Sequence, residues 1–262
     1  MSTALSELLA IADDAIDAVL PRLREARREL DLGVETKSTA TDLVTAFDRW
    51  SEESIVSCIT AARPDDGFIG EEGASVAGTT GVVWLIDPID GTTNFVYDLP
   101  GSSVSIGASV DGSAAIGAVH DLVRDERFRA TRGAGATLDA EPIAVSAKKE
   151  LATALVATGF AYDADRRRAQ AIALVDVLPA VRDIRRMGGA AVDLCSLACG
   201  RVDGYYERGL SPWDSAAGAL IASEAGAVFD DRTDVGGALA GATPAIADEF
   251  FALLDDAGIH DA

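Results

Sequence analysis

The sequence is short of the residues that open several familiar chemistries. Histidine occurs only twice, at His120 and His260, too few for a multi-histidine metal site or a Ser-His-Asp triad with any redundancy. His120 follows Ala118-Val119 in a strand-like run and reads as structural, while His260 falls in a tail expected to fray. The three cysteines are Cys58, Cys195 and Cys199. Cys195 and Cys199 stand four apart in an Ala-rich helical stretch, and read as small buried hydrophobes rather than a disulfide. Basic residues are also scarce: 22 Lys and Arg face 43 Asp and Glu, for a net charge of −21. That excludes a basic nucleic-acid binder, which needs clustered cations against phosphates. No apolar run approaches the roughly 20 residues that span a bilayer. The opening stretch carries Glu7, Asp13, Asp14 and Asp17, and so lacks the basic start of a signal peptide. A cytoplasmic protein is expected, with neither membrane nor nucleic acid as partner.

What is present suits a folded enzyme. At roughly 150 residues per domain, 262 residues make one or two domains. Apolar residues at 48 % and charged residues at 25 % are ordinary for a globular chain. That is enough apolar surface to offset the ordering entropy.

Leu5, Leu8, Leu9, Ala12, Ile16, Val19, Leu20 and Leu23 recur at helical spacing and predict an amphipathic helix over residues 4–30. A second helix is expected from Asp42 as its N-cap, with Leu43, Phe47, Trp50 and Ile55 inward, ending before Pro64. From Phe68 to Leu138 the pattern changes to short apolar runs broken by Gly and Asp. Residues 82–86, 104–108 and 115–119 predict strands, with Asp111-Gly112 as a turn. The second half alternates. A strand at 154–158 precedes a helix over 164–180, whose Arg166, Arg167 and Arg168 read as a solvated face. A helix at 189–199, a strand at 203–207, a helix at 213–225, a strand at 227–230 and a last helix at 244–256 follow. The expected fold is mixed α/β, α+β in its first half, with sheets and helices in layers. Residues 1–147 and 148–262 form two halves of one compact unit, joined near Lys148-Lys149-Glu150.

Three acidic clusters carry the chemistry. In Phe68-Ile69-Gly70-Glu71-Glu72-Gly73, two adjacent acids at a strand end are expected on opposite faces; alone, they read as a charged strand exit. Trp84-Leu85-Ile86-Asp87-Pro88-Ile89-Asp90-Gly91-Thr92-Thr93-Asn94-Phe95 is more specific. Asp-Pro and Asp-Gly are common turn dipeptides, but they do not explain two acids three apart at the carboxyl end of a buried strand, where α/β proteins place ligands. Amides at Gly91, Thr92 and Thr93 would suit an oxyanion. In Ser211-Pro212-Trp213-Asp214-Ser215, an acid opens a Gly/Ala-rich helix, which by itself reads as an ordinary first-turn acid. If Glu71, Asp87, Asp90 and Asp214 converge, like charges crowd at high cost, so either their pKa values rise or cations fill the pocket. Oxygen donors without His or Cys select Mg²⁺ or Mn²⁺.

These strings, together with Lys37, residues 42–48, 185–191 and Tyr205-Tyr206-Glu207, resemble the signatures of the inositol monophosphatase family over nearly the whole chain. The stretch around Tyr205 is closer to its bacterial members. The resemblance implies a layered αβαβα sandwich and a lithium-sensitive, Mg²⁺-dependent phosphatase, commonly a homodimer, acting on a small phosphorylated polyol. It implies that Glu71, Asp87 and the Ile89 carbonyl hold one Mg²⁺, that Asp87, Asp90 and Asp214 hold a second, and that a weaker third touches Glu71. Asp48 and Lys37 would lie behind them. Asp90, Gly91, Thr92 and Thr93 would meet the phosphate. Gly188, Ala190, Glu207, Asp214 and Arg185 would contact or shape the ring pocket. Glu71, Thr92 and Asp90 would take the catalytic roles. Ser211 stands where mammalian members carry a histidine. Relatives with the same metal core act on fructose 1,6-bisphosphate, 3′-phosphoadenosine 5′-phosphate, NADP or histidinol phosphate, and some bacterial ones are regulatory partners of RNA polymerase. The D-x-D-x-T motif of a haloacid-dehalogenase phosphatase fails, because two residues rather than one separate Asp87 from Asp90, and a burst of phospho-enzyme on rapid quench would revive that reading.

Overall fold

A computed structural model describes residues 3–27, 33–37 and 43–261. Helix α1 (Thr3–Ala26) buries Leu8, Ala12, Ile16, Val19, Leu20 and Leu23, the side its periodicity marks out. The expected N-cap Asp42 lies outside the described residues. The second helix is α2 (Ala46–Ala62), preceded by the short strands β1 (Glu35–Thr36) and β2 (Leu43–Val44). Its cap is Thr45, whose hydroxyl accepts from the Phe47 amide while the Asp48 carboxylate accepts from the Thr45 amide. That reciprocal box outcompetes a start at residue 42.

The next stretch supplies β3 (Gly67–Gly70), β4 (Ser75–Val76), β5 (Val82–Asp90), the short α3 (Thr92–Val96), β6 (Ser103–Val110), β7 (Ser113–Asp121), β8 (Glu126–Thr131), β9 (Ala136–Leu138) and β10 (Glu141–Pro142). They form one eight-stranded sheet in the order β10-β9-β8-β7-β6-β5-β3-β4, antiparallel except for the β3–β5 pair. The hairpin between β6 and β7 turns on Asp111-Gly112, both at positive φ, as a two-residue turn matched to strand twist requires.

The second half supplies β11 (Leu155–Thr158), α4 (Ala164–Val177), β12 (Asp183–Arg185), α5 (Ala190–Ala198), β13 (Gly204–Arg208), α6 (Pro212–Glu224), β14 (Val228–Asp231), β15 (Ala238–Ala242) and α7 (Ala247–Asp256). Its five-stranded sheet runs β12-β11-β13-β15-β14. The strands β12 and β15 carry too short or too small-residue a pattern to read from sequence. His260 does not fray: its Nδ1 accepts the Ala238 amide at 3.2 Å, closing the chain end onto β15. His120 is buried beside Arg24, Arg127 and Asp125. The three cysteines are free thiols.

Three apolar cores stack these elements into five layers. The first lies between α1, α2 and the large sheet, the second joins both sheets through α5 and α6, and the third joins the small sheet to α4 and α7. Helix α6 settles close on the large sheet because Gly117 has no side chain: a Cβ there would stand 2.6 Å from the Ala217 carbonyl. That closeness carries Asp214, at the start of α6, to the ends of the large sheet's strands. Among the described residues no helix is long and apolar enough to cross a membrane.

Candidate active site

Two acids three apart on a regular strand face opposite ways, since side chains alternate. Strand β5 avoids this with a bulge. Asp87 pairs with Ser105 and Asp90 with Ser103, so three steps on β5 match two on β6. The extra residue restores parity, and Asp87, Ile89 and Asp90 all border one cavity of about 540 Å³. Ser51 of α2 donates to the Pro88 carbonyl at 3.2 Å and fixes the bulge from behind.

Glu71 and Asp214 reach the same cavity, as do Lys37, Gly91 and Thr92. Gly188, Ala190, Glu207 and Ser211 line it as well. Glu71 and Glu72 sit in a turn after β3 rather than on the strand, and they do not point apart: the Lys37 ammonium bonds both, at 2.9 Å to Glu71. Turn backbone does not keep the strand's alternation. Thr93 does not border the cavity. Arg185 does not either: it turns outward to Asp183, its neighbour two residues back on β12, at 2.6 Å. Arg186 takes the lining position. Arg166 likewise departs from a purely solvated face and borders the cavity mouth with Asp163 at the start of α4.

Each carboxylate is held differently. Asp90 accepts the Ala190 and Ala191 amides at 3.0 Å each and the Ser103 hydroxyl at 3.2 Å. Asp214 accepts the Ser211 amide at 2.6 Å, as a first-turn acid should. Asp48 is wholly buried and accepts the Thr45 hydroxyl at 2.6 Å and the Thr92 hydroxyl at 2.9 Å. Glu207 accepts the Tyr205 hydroxyl at 3.0 Å. Asp87 is the exception, with a buried Oδ1 that has no partner.

Crowding moves the proton affinities upward. Burial, then the charges of Glu71, Asp90 and Asp214, carry Asp87 well above the usual carboxylate range. Burial brings Asp90 to about 7 against its three hydrogen bonds, and Asp214 to about 7 with Glu71 and Asp90 adding to it. Glu207 also reaches about 7 and Asp48 about 6, both through burial. Burial works against the Lys37 charge, but Glu71 and Glu72 outweigh it and raise its pKa.

Among the described residues, no three acidic, histidine or cysteine side chains stand together as a finished ion cage. The donor chemistry nevertheless fits a hard divalent cation. The converging groups are carboxylates, with the Ile89 carbonyl beside them, and the orphaned Asp87 oxygen lacks the positive partner that a buried charge requires.

Gly91 makes the turn out of β5. Its φ is +76°, and a Cβ there would meet the Gly101 carbonyl at 2.3 Å, so only glycine fits both demands. Thr92 then opens α3 with its hydroxyl between Asp48 and the Ile89 carbonyl, at 2.9 and 3.1 Å.

Comparison with known proteins bears on this geometry. The profile of the Inositol monophosphatase family matches residues 4–253. An inositol-1-monophosphatase from Mycobacterium bovis is 45 % identical over 237 residues, covering 86 % of this chain and 82 % of its own. A protein named Nus factor SuhB from Pasteurella multocida is 44 % identical, covering 78 % and 77 %. Among solved structures, Mycobacterium tuberculosis SuhB superposes with a TM-score of 0.84 at 38 % identity, covering 97 % of this chain and 98 % of its own. The inositol monophosphatase from Anabaena superposes with 0.85 at 33 %, covering 97 % of each chain.

Proposed function

Because this chain belongs to the inositol monophosphatase family, we propose that it is a Mg²⁺-dependent phosphomonoesterase that converts inositol monophosphate to inositol and phosphate. The observation that carries the metal requirement is the set of four acids, Glu71, Asp87, Asp90 and Asp214, on one cavity, with a buried Asp87 oxygen left unpartnered. Glu71, Asp87, the Ile89 carbonyl, Asp90 and Asp214 would hold two to three ions. Bound Mg²⁺ supplies the positive charge that acidifies a water and offsets charge on the leaving oxygen.

The chain's own groups do the rest. Thr92, when it donates to Asp48, turns a lone pair outward and orients the attacking water, and Glu71 accepts its proton. The Gly91 and Thr92 amides and Asp90 would face the phosphate. Gly188 and Ala190 leave room for the polyol ring. Glu207, fixed by Tyr205, meets a ring hydroxyl, and Arg186 replaces Arg185 in that wall. Lithium sensitivity, a homodimer and a cytoplasmic location belong to the same reading.

Phosphate release measured on inositol monophosphate, fructose 1,6-bisphosphate, 3′-phosphoadenosine 5′-phosphate, NADP and histidinol phosphate, with Mg²⁺ and with added Li⁺, tests the assignment. Inositol monophosphate should give the highest kcat/KM, and Li⁺ should inhibit. A different best substrate would move the assignment to a related phosphatase. The relatives named Nus factor support a second reading, association with RNA polymerase. Co-purification with polymerase and no Mg²⁺-dependent phosphate release would favour it.

A further inference from the structure

Glu52 is a buried acid near the site that none of the roles above uses. Glu52 lies one helical turn after Asp48 on α2, so the two carboxylates leave the same side of that helix. Asp48 reaches Thr92. Glu52, only 5 % exposed, reaches the other half of the site. Its Oε2 accepts the Glu72 amide and its Oε1 the Ala74 amide, both at 2.8 Å. Both oxygens are thus committed to the backbone of the turn that carries Glu71. The same turn is closed by the Gly70 amide donating to the Ala74 carbonyl at 2.7 Å, and tied to β5 by the Glu71 amide on the Ile86 carbonyl at 3.2 Å. Gly70 leaves the space in which this happens: a Cβ there would stand 2.3 Å from Glu52 Oε2.

We propose that Glu52 is a positioning residue for Glu71. It clamps the 70–74 turn to α2, so that a single helix sets Glu71 and Thr92 in register with each other across the cavity. The proposal rests on the functional reading above for what Glu71 does once placed. An acid that merely stabilised the fold would lower the melting temperature and leave the Mg²⁺ requirement alone. A positioning acid changes that requirement.

The test uses the full chain carrying Glu52→Gln, in which one amide keeps an acceptor and the other faces an NH₂ group. Ile59→Val, a buried change farther along α2, is the control for a simple loss of stability. Two readouts are compared: the Mg²⁺ concentration for half-maximal phosphate release, and the Mg²⁺ concentration at which the melting temperature begins to rise, which needs no activity. Both should rise about 10- to 100-fold in Glu52→Gln, the size seen when a group orienting a metal ligand is removed. Both should be unchanged in Ile59→Val. Gly70→Ala pushes the same contact from the other side and should imitate Glu52→Gln, and Glu52→Ala with Gly70→Ala should be no worse than the more severe single change, because both act through one contact.

A wild-type Mg²⁺ requirement in Glu52→Gln, or in Gly70→Ala if Glu52→Gln fails to fold, overturns the proposal alone. A wild-type protein with neither Mg²⁺-dependent release nor a Mg²⁺-dependent melting shift defeats the functional reading, and the proposal with it.

Discussion

Two acidic neighbourhoods of this molecule use the same side chains to opposite effect. Where α1 meets the large sheet, Asp13 and Asp17 face Arg127 and Arg129 of β8. Arg129 Nε lies 2.8 and 2.7 Å from the two Asp13 oxygens, and Arg127 bonds Asp17. The bond from Arg127 pulls the Asp17 carboxyl below its ordinary range, against burial. Around the cavity, Asp87, Asp90 and Asp214 move the other way, because burial and mutual repulsion outweigh what Lys37 offers. The first group carries its own counter-charge and fastens a helix to a sheet. The second is built with a deficit, met by protons or by cations from solution. A deficit of that kind destabilises the resting fold, which is why it marks a working site.

The largest effect is expected from Asp87→Asn, which should cut turnover by about two to three orders of magnitude, the scale of losing one electrostatic partner of a transition state. The same change should raise the melting temperature of the metal-free protein, since it takes one buried acid out of the crowd. Retained turnover would place the chemistry elsewhere.

Next comes pH. Asp90 and Asp214, raised from 3.8 to about 7, bind their protons more tightly in the folded chain than in the unfolded one. The stability they contribute is therefore complete below the unfolded value and lost as pH climbs through about 7. Metal-free protein should lose this part of its stability between pH 4 and pH 8, and Mg²⁺ should restore far more at pH 8 than at pH 5. Calorimetric scans with and without Mg²⁺ read this directly, and an equal Mg²⁺ effect at both pH values contradicts it.

A smaller effect separates neighbouring arginines. Arg186→Ala should raise KM about tenfold, the loss of one hydrogen bond to a charged group, while Arg185→Ala should leave KM alone. The smallest concerns the paired region. Arg129→Ala should cost about 0.2–1 kcal/mol in denaturant unfolding, as partly exposed ion pairs do, with unchanged turnover.

How much of this could be read beforehand depends on what each residue's position encodes. The string Asp87-Pro88-Ile89-Asp90-Gly91-Thr92 announces a strand that ends, bends and presents acids, and the helices and strands after residue 150, β12 and β15 apart, follow periodicity closely. The bulge that turns Asp87 and Asp90 to one side lies in pairing with Ser103 and Ser105, which no local pattern contains. That Arg185 turns away from the cavity is hidden, because β12, only three residues long, is too short to show in the sequence as the strand that puts Arg185 on one face with Asp183. Arg166 is exposed, as expected of it, but its place beside the cavity comes from topology: loops leaving the parallel strand β11 open onto it. Glu52 was invisible, since its partners are backbone amides some twenty residues away.

The deficit of positive charge around Asp87 is read out by anomalous diffraction from crystals grown with Mn²⁺ in place of Mg²⁺. At least two anomalous peaks should appear inside the cavity, each touched by the Asp87 carboxylate and together reaching Glu71, Asp90 and Asp214. A cavity without peaks under saturating Mn²⁺, or peaks bound only at surface acids, would contradict it.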